Sequence, residues 1–301
     1  MTGATASYVD VARGPHGRWW HYLLGLIFVL MSWLFVGGFA TLGVLVTLLK
    51  PGTPLTALSV EHLSTQGPYT VFLVVMAAYP FFLGAMLLTP PIFHRRSPRT
   101  LITAAPAINW GRVALGFGVW TGIQVLFTML GFLLDPGGLA LTFDAATFAP
   151  FAVMAVCLVP LQTTAEELFF RGYLVQWASL LSRHRLFLIV LSAVIFTLPH
   201  LANPEVQLDV PVMVAQYFAL GAFFAWISLR DGTLELAIGV HAANNLFAVL
   251  LVNYPGSALP SPSVFATTTF EPLPSLIWLL IGIAAFYLTV YGWPRRRSAI
   301  V

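Results

Sequence analysis

Two adjacent glutamates and an arginine interrupt an apolar segment that reads TTAEELFFRGYLVQW, residues 163–177. On a helix, Glu167 and Arg171 lie four residues apart and are predicted to form an ion pair. Glu166 is turned by about 100° from Glu167 and points elsewhere. An unpaired charge at the centre of a membrane helix costs about 2.5–3.5 kcal/mol, so such residues are functional candidates. The structural alternative is a polar seam in which all three charges hold helices together.

Two further polar motifs lie downstream, FTLPHLANP and HAANNL. In the first, Phe196 precedes His200 by one helical turn, and in the second, His241 and Asn245 share one helix face. Each motif also has a structural interpretation. The histidines and the amide could form hydrogen bonds between helices, which contribute about 0.6 kcal/mol each in membranes, and the phenylalanine could simply pack.

Taken together, one glutamate and two histidines are the groups needed to activate a water molecule. A carboxylate accepts the proton of the water, and neutral imidazoles can hold a metal ion. An amide such as that of Asn245 can donate a hydrogen bond to a developing oxyanion. These groups suit amide hydrolysis. The chain has neither a G-x-S-x-G nor an H-E-x-x-H motif that would indicate another hydrolase.

The composition indicates that these motifs lie in a membrane. Of 301 residues, 58% are hydrophobic and 8% are charged, and the mean hydropathy is +0.87, whereas a soluble domain has about 25% charged residues. A helix that crosses the hydrocarbon core needs about 20 apolar residues. We therefore predict an all-α polytopic integral membrane protein that forms one domain over 1–301, with spans at 21–49, 70–93, 113–134, 149–181, 186–203, 208–229, 233–253 and 273–293.

The basic residues predict the orientation. Twelve of the 14 fall in the tails and in alternate loops on one side, Lys50 falls on the other side, and Arg171 lies within a span. By the positive-inside rule, the tails at 1–20 and 294–301 are cytoplasmic. Trp19, Trp20 and Trp293 lie at the predicted interfaces. The near absence of lysine is typical of GC-rich genomes, so we expect a bacterial inner (plasma) membrane.

Simple helix arithmetic places the motifs at different depths. At 1.5 Å per residue, Glu166 lies deep in the fourth span and His200 lies close to the outer end of the fifth, roughly 10–15 Å apart in depth. Bends at Pro160 and Pro199, or helix tilt, are needed to bring the two side chains together.

The three motifs E-E-x-x-x-R, F-x-x-x-H and H-x-x-x-N occur in that order, and the region 150–250 that carries them resembles the CPBP family of intramembrane proteases. This family includes the type II CAAX prenyl endopeptidases and the bacterial Abi or bacteriocin-processing proteins. The resemblance implies a bundle of about eight transmembrane helices around a polar intramembrane cavity.

The resemblance also implies roles for the motif residues. Glu166 and His200 would activate the water, His241 and Asn245 would complete the site and stabilise the oxyanion, and three residues would support them. The supporting residues are Glu167, Arg171 and Phe196. Glu166, His200 and His241 also match a zinc ligand set, so the resemblance leaves open a zinc enzyme or a metal-free, glutamate-dependent one.

Three functions are compatible with the sequence. The first is an endopeptidase that acts in the lipid bilayer on a membrane-associated peptide or protein, with no nucleic-acid partner and with its oligomeric state open. Strict CAAX processing requires a prenylated substrate, which a bacterial source disfavours. The second is a non-catalytic immunity or scaffold protein, which would need only the Glu167–Arg171 pair. The third is a transporter with a buried acid as proton relay, which the lack of an internal repeat disfavours.

Overall fold

A computed structural model of the protein describes residues 7–50, 52–53 and 59–292. Helices occupy all eight predicted spans. Six of them are long and apolar enough to cross a membrane, and the fifth and seventh are shorter. The predicted basic tail at 294–301 and Trp293 lie outside the described residues. The helices are α1 (Trp19–Leu48), α2 (Thr70–His94), α3 (Trp110–Leu134), α4 (Ala145–Ala178), α5 (Arg185–His200), α6 (Val210–Asp231), α7 (Glu235–Leu251) and α8 (Pro272–Tyr291).

The bundle exposes large apolar side chains on its outer faces. Phe39, Leu133 and Val153 are 73%, 72% and 67% exposed, respectively. Lipid tails, unlike water, impose no cost on such surfaces, and every backbone polar group within a helix is satisfied internally. The prediction of an all-α polytopic integral membrane protein is therefore confirmed.

Helix α4 is the longest of the eight, with 34 residues, as its long apolar run predicted. Its N-terminus is capped by Asp144, whose carboxylate accepts a hydrogen bond from the backbone N–H of Ala146. Pro160 lies within the α-helical part, which ends at Glu167 and passes into a π-helical segment, Leu168–Tyr173. Single π turns within α-helices occur frequently at functional sites. Here the π segment begins directly after the two adjacent glutamates.

Two glycines allow α3 and α7 to cross at very short distance. A Cβ atom on Gly239 would lie 2.1 Å from the carbonyl oxygen of Val113, and one on Gly116 would lie 2.5 Å from that of Leu236. Small residues at such crossings let helix backbones approach closely in membranes. This contact fixes the depth and rotation of α7, which carries the third motif.

Substitution of Gly239 by alanine should therefore weaken the fold. The added methyl group meets a backbone atom that cannot move aside, so the helices must separate, at a cost of about 1–3 kcal/mol. Gly122→Ala on α3 is the matched control, since nothing lies within 4 Å of its Cβ position. Thermal unfolding in detergent should show a lower midpoint for Gly239→Ala only. Equal midpoints for the two variants would contradict this packing.

The N-terminal segment before α1 is folded onto the ends of the helices. Residues Asp10–Arg13 form a 3₁₀ turn, and the side chains of Tyr8 and Ala12 are fully buried. The Arg13 guanidinium donates a hydrogen bond to the carbonyl oxygen of Ser179 at 2.7 Å. The described part of the predicted tail at 1–20 is thus a packed element, and α1 begins at Trp19.

A small three-stranded sheet lies outside the helices. Its strands are β1 (Leu139–Leu141), β2 (Val252–Asn253) and β3 (Phe265–Thr267), in the order β1-β3-β2. Strand β3 pairs antiparallel with β1 and parallel with β2. The sequence predicts loops at β1 and β3, but it places β2 within the seventh span, 233–253, whereas α7 ends at Leu251. Strands of two or three residues carry no periodic pattern, and their pairing depends on helices that bring distant connections together.

Candidate active site

The predicted ion pair on α4 is present and completely buried. The Arg171 guanidinium donates a hydrogen bond to Oε1 of Glu167 at 3.0 Å, and both side chains have no exposed surface. Arg171 also donates to the backbone carbonyl of Gly221 on α6 at 3.3 Å. A buried charge is tolerated when it is paired and hydrogen-bonded. The pair therefore joins α4 to α6 in the interior of the bundle.

Aromatic rings surround the guanidinium. Its central carbon lies 4.2 Å from the ring centroid of Phe196 and 5.1 Å from that of Phe224. Ring faces attract a cation, and the attraction is stronger where water is excluded. Phe196, predicted as a supporting residue, thus contacts Arg171. Its role in function stays a prediction.

His241 lies between the two glutamates. Its Nδ1 is 2.8 Å from Oε1 of Glu167, and its Nε2 is 3.6 Å from Oε2 of Glu166. The ring also stacks on Phe224, with centroids 4.7 Å apart. The two adjacent carboxylates, although turned apart on the helix, therefore reach opposite nitrogens of one imidazole. Because Glu167 is an acceptor, it favours the tautomer that carries a proton on Nδ1.

The other oxygen of Glu166 is held by two donors. Oε1 accepts hydrogen bonds from the hydroxyl of Tyr79 at 2.9 Å and from the amide of Gln162 at 2.6 Å. Oε2 is buried and has no hydrogen-bond partner among the described residues. Its 3.6 Å distance from Nε2 of His241 exceeds that of a direct hydrogen bond. The carboxylate is thus fixed through one oxygen, and the other faces the imidazole.

Asn245 is connected to Glu166 through Gln162. The Asn245 amide donates to Oε1 of Gln162 at 3.1 Å, and Gln162 donates in turn to Glu166. Asn244 donates to Oδ1 of Asn245 and accepts from the indole of Trp120. This chain of hydrogen bonds leaves the second N–H of the Asn245 amide without a partner among the described residues. Asn245 is only partly buried, so this N–H is a candidate donor toward a ligand.

His200 lies beside this cluster and makes no hydrogen bond to it among the described residues. Its Nδ1 donates to the backbone carbonyl of Phe196 at 2.7 Å, so Nε2 is the nitrogen left for a ligand. Its ring lies between those of Phe196 and Tyr217, with centroids 4.4 Å and 4.6 Å away. The ring of Phe196 in turn lies 6.0 Å from that of His241. The ring of Phe196 therefore lies next to both His200 and His241.

The candidate zinc ligands do not form a metal site in this arrangement. No group of three or more His, Cys, Asp or Glu side chains suited to a metal ion occurs in the described part of the chain. Nδ1 of His241 is occupied by Glu167, and only Glu166 and His241 face each other directly. Two ligands fall short of the three that catalytic zinc sites use. We therefore derive no step through a metal ion.

Three residues that hold the site were not predicted from the sequence. Gln162 lies four residues before Glu166, so its position on the same helix face could have indicated the contact. Tyr79 lies on α2 and Phe224 on α6, far from any motif, and no local pattern signals them.

Comparisons with known proteins agree with the family resemblance of the region that carries the three motifs. Residues 146–247 match the family model of the Rce1-like type II CAAX prenyl endopeptidases. The chain is also similar to the uncharacterized protein YyaK of Bacillus subtilis (strain 168), at 29% identity over 296 residues, which is 97% of each chain. No solved structure matches the chain.

Proposed function

We propose that this protein is an intramembrane endopeptidase, because residues 146–247 match the family model of the Rce1-like type II CAAX prenyl endopeptidases. Its substrate is a membrane-associated peptide or protein, and Glu166 and His241 activate the attacking water. The observation that carries the proposal is the 3.6 Å separation between Oε2 of Glu166 and Nε2 of His241. Among the described residues, this oxygen has no hydrogen-bond partner of its own.

The surrounding hydrogen bonds support this assignment. Glu167 holds the proton on Nδ1 of His241, so Nε2 presents a lone pair toward Glu166. We place the attacking water against both atoms, where it donates one hydrogen to Oε2 of Glu166 and the other to Nε2 of His241. Both oxygen lone pairs of that water then remain available for attack. Tyr79 and Gln162 keep the carboxylate in place through its other oxygen.

The proposed reaction then proceeds in two steps. The water oxygen bonds to the carbonyl carbon of the scissile peptide while its proton passes to Glu166, which acts as general base. The second amide hydrogen of Asn245 stabilises the resulting oxyanion. The carbon–nitrogen bond then breaks as the leaving nitrogen takes the proton from Glu166. The products are a carboxylic acid and an amine, and Glu166 regains its initial state.

His200 contributes from the partly exposed side of the cluster. Its Nδ1 is committed to the Phe196 carbonyl, so Nε2 is directed away from its own helix. We assign it contact with the substrate or with the attacking water. Supporting this proposal, His200 is only partly buried, whereas Glu166 and His241 are buried.

The cellular setting follows from the charge pattern. The arginines of the predicted inner loops and tails support cytoplasmic termini in a bacterial inner membrane. A prenyl group is not part of the proposal, because none of the contacts described above recognises one.

Replacement of His241 by alanine is the direct test. We expect it to lower substrate cleavage at least about 10²-fold, because the water loses one of its two anchors. New protein termini in membranes from cells with the wild-type protein should be identified by mass spectrometry and compared with those from His241→Ala cells. His184→Ala, which alters an exposed histidine before α5, is the matched control.

The control should give the same new termini as the wild type. The same termini in His241→Ala membranes, at equal protein level, would refute the peptidase proposal and favour the scaffold alternative. Cleavage of the identified substrate should also persist after treatment with EDTA, since no step requires a metal ion. If EDTA abolishes cleavage and added zinc restores it, the metal-free mechanism is refuted, whereas the peptidase proposal is not.

A further inference from the structure

A further buried carboxyl group, that of Glu205, lies shortly after the end of α5. Glu205 belongs to the 3₁₀ turn Pro204–Leu208, which connects α5 to α6, and only 2% of it is exposed. Its Oε1 accepts hydrogen bonds from the hydroxyls of Tyr217 at 2.7 Å and Tyr254 at 3.2 Å. Its Oε2 has no partner among the described residues. A buried acid with two tyrosine donors is costly to place and calls for a reason.

The cluster joins the three elements that follow or carry the site motifs. Glu205 comes shortly after His200, Tyr217 lies on α6, and Tyr254 follows β2 just beyond α7. Asn203 adds a hydrogen bond from its amide to the Tyr217 hydroxyl at 2.8 Å. Burial, and then the charge of Glu205, raise the pKa of Tyr254, so its phenol keeps the proton that it donates.

The cluster reaches the site through the ring of Tyr217. This ring lies against the imidazole of His200, with centroids 4.6 Å apart and planes inclined by 34°. On its other side, His200 is bounded by Phe196. Among the described residues, the His200 ring makes one hydrogen bond, through Nδ1, so the tilt of the ring depends on these two neighbours. Whatever fixes the Tyr217 ring therefore also fixes the direction of Nε2 of His200.

We propose that Glu205 is a positioning residue that orients His200 through the ring of Tyr217. The effect of Glu205 on cleavage rests on the proposed function, because His200 acts in cleavage only under that proposal. The effect of Glu205 on the orientation of the His200 ring does not rest on it. Glu205 acts as a hydrogen-bond acceptor for two hydroxyls. An amide oxygen at the same position accepts the same two hydrogen bonds, whereas a methyl group accepts none.

Four proteins test this role: the wild type, Glu205→Gln, Glu205→Ala and Tyr217→Phe. The first readout is the rate at which diethyl pyrocarbonate modifies His200 in detergent, measured by mass spectrometry against the exposed His184 in the same molecule. The second is the cleavage of the substrate identified from the new termini, with kcat and KM determined separately. Tyr217→Phe removes one hydroxyl and keeps the ring, so it tests the proposal even where Glu205→Ala fails to fold.

We expect Glu205→Ala and Tyr217→Phe to change the modification rate of His200 at least threefold relative to His184. Their kcat should fall about tenfold with KM within twofold, and Glu205→Gln should stay within twofold of the wild type in both readouts. Unchanged His200 reactivity in Tyr217→Phe, or a Glu205→Gln variant that behaves like Glu205→Ala, would overturn the proposal. The expected reactivity pattern in a protein that cleaves nothing would support the positioning role and refute the peptidase.

Discussion

Replacement of Glu166 by glutamine should nearly abolish cleavage, with a loss of about 10²–10⁴-fold. The amide keeps a carbonyl oxygen for the hydrogen bonds from Tyr79 and Gln162, so the side chain remains in place. An NH₂ group then replaces Oε2, the atom that faces His241. This group cannot accept the proton of the water. The rate should be measured in proteoliposomes, on a substrate identified from the new termini.

Glu271→Gln provides the comparison for this variant. It makes the same chemical change at an exposed residue that precedes α8. Its cleavage rate should equal that of the wild type. Glu166→Gln should also unfold at nearly the wild-type temperature, which separates loss of chemistry from loss of fold. A Glu166→Gln protein that cleaves within threefold of the wild-type rate would exclude Glu166 as the base.

Removal of the Arg171 charge should have the largest effect on stability. In Arg171→Met, the buried carboxylate of Glu167 loses its cation, and the one hydrogen bond left to it among the described residues comes from His241. The loss of one partner of a buried ion pair typically costs 3–5 kcal/mol, since the other charge remains uncompensated. The contacts with Phe196 and Phe224 are lost as well. Thermal unfolding in detergent should show a markedly lower midpoint, or the protein should fail to accumulate.

Two matched variants test whether the broken ion pair causes the loss of stability in Arg171→Met. Arg183→Met breaks an ion pair with Asp10 whose side chains are 56% and 44% exposed, and such pairs contribute less than about 1 kcal/mol. The double variant Glu167→Gln/Arg171→Met removes both buried charges and should recover part of the stability that Arg171→Met loses. A double variant that is less stable than Arg171→Met, or equal losses for Arg171→Met and Arg183→Met, would contradict the ion-pair explanation.

The sequence was sufficient to predict the helices and the contacts within one helix. Hydropathy alone indicated eight helical segments, and the structure has helices in each of them. The spacing of Glu167 and Arg171 predicted their ion pair, which the structure shows. Both inferences depend on local periodicity and on the cost of charge in lipid, and these do not depend on the partner helices.

Local periodicity and the cost of charge in lipid could not predict the contacts between helices. That both glutamates would reach the same imidazole depends on the rotation of α7 against α4, which the glycine crossing with α3 sets. No local pattern signals Tyr79 or Glu205, because each contacts a group far along the chain. The estimate of the depth difference between Glu166 and His200 treats the helices as straight and equally long. In the structure, α5 has 16 residues and ends at His200.

The position of α7 has a consequence for how the protein senses its membrane. Every residue from Glu235 to Ala243 is buried, so this part of α7 is surrounded by protein and has no annular lipid of its own. Hydrophobic mismatch acts only on helices that touch the acyl chains. Thicker or thinner bilayers therefore strain the six long helices first, while the short helix with His241 is insulated from them. A buried helix of this kind can be both short and polar, which an acyl-chain-facing helix cannot.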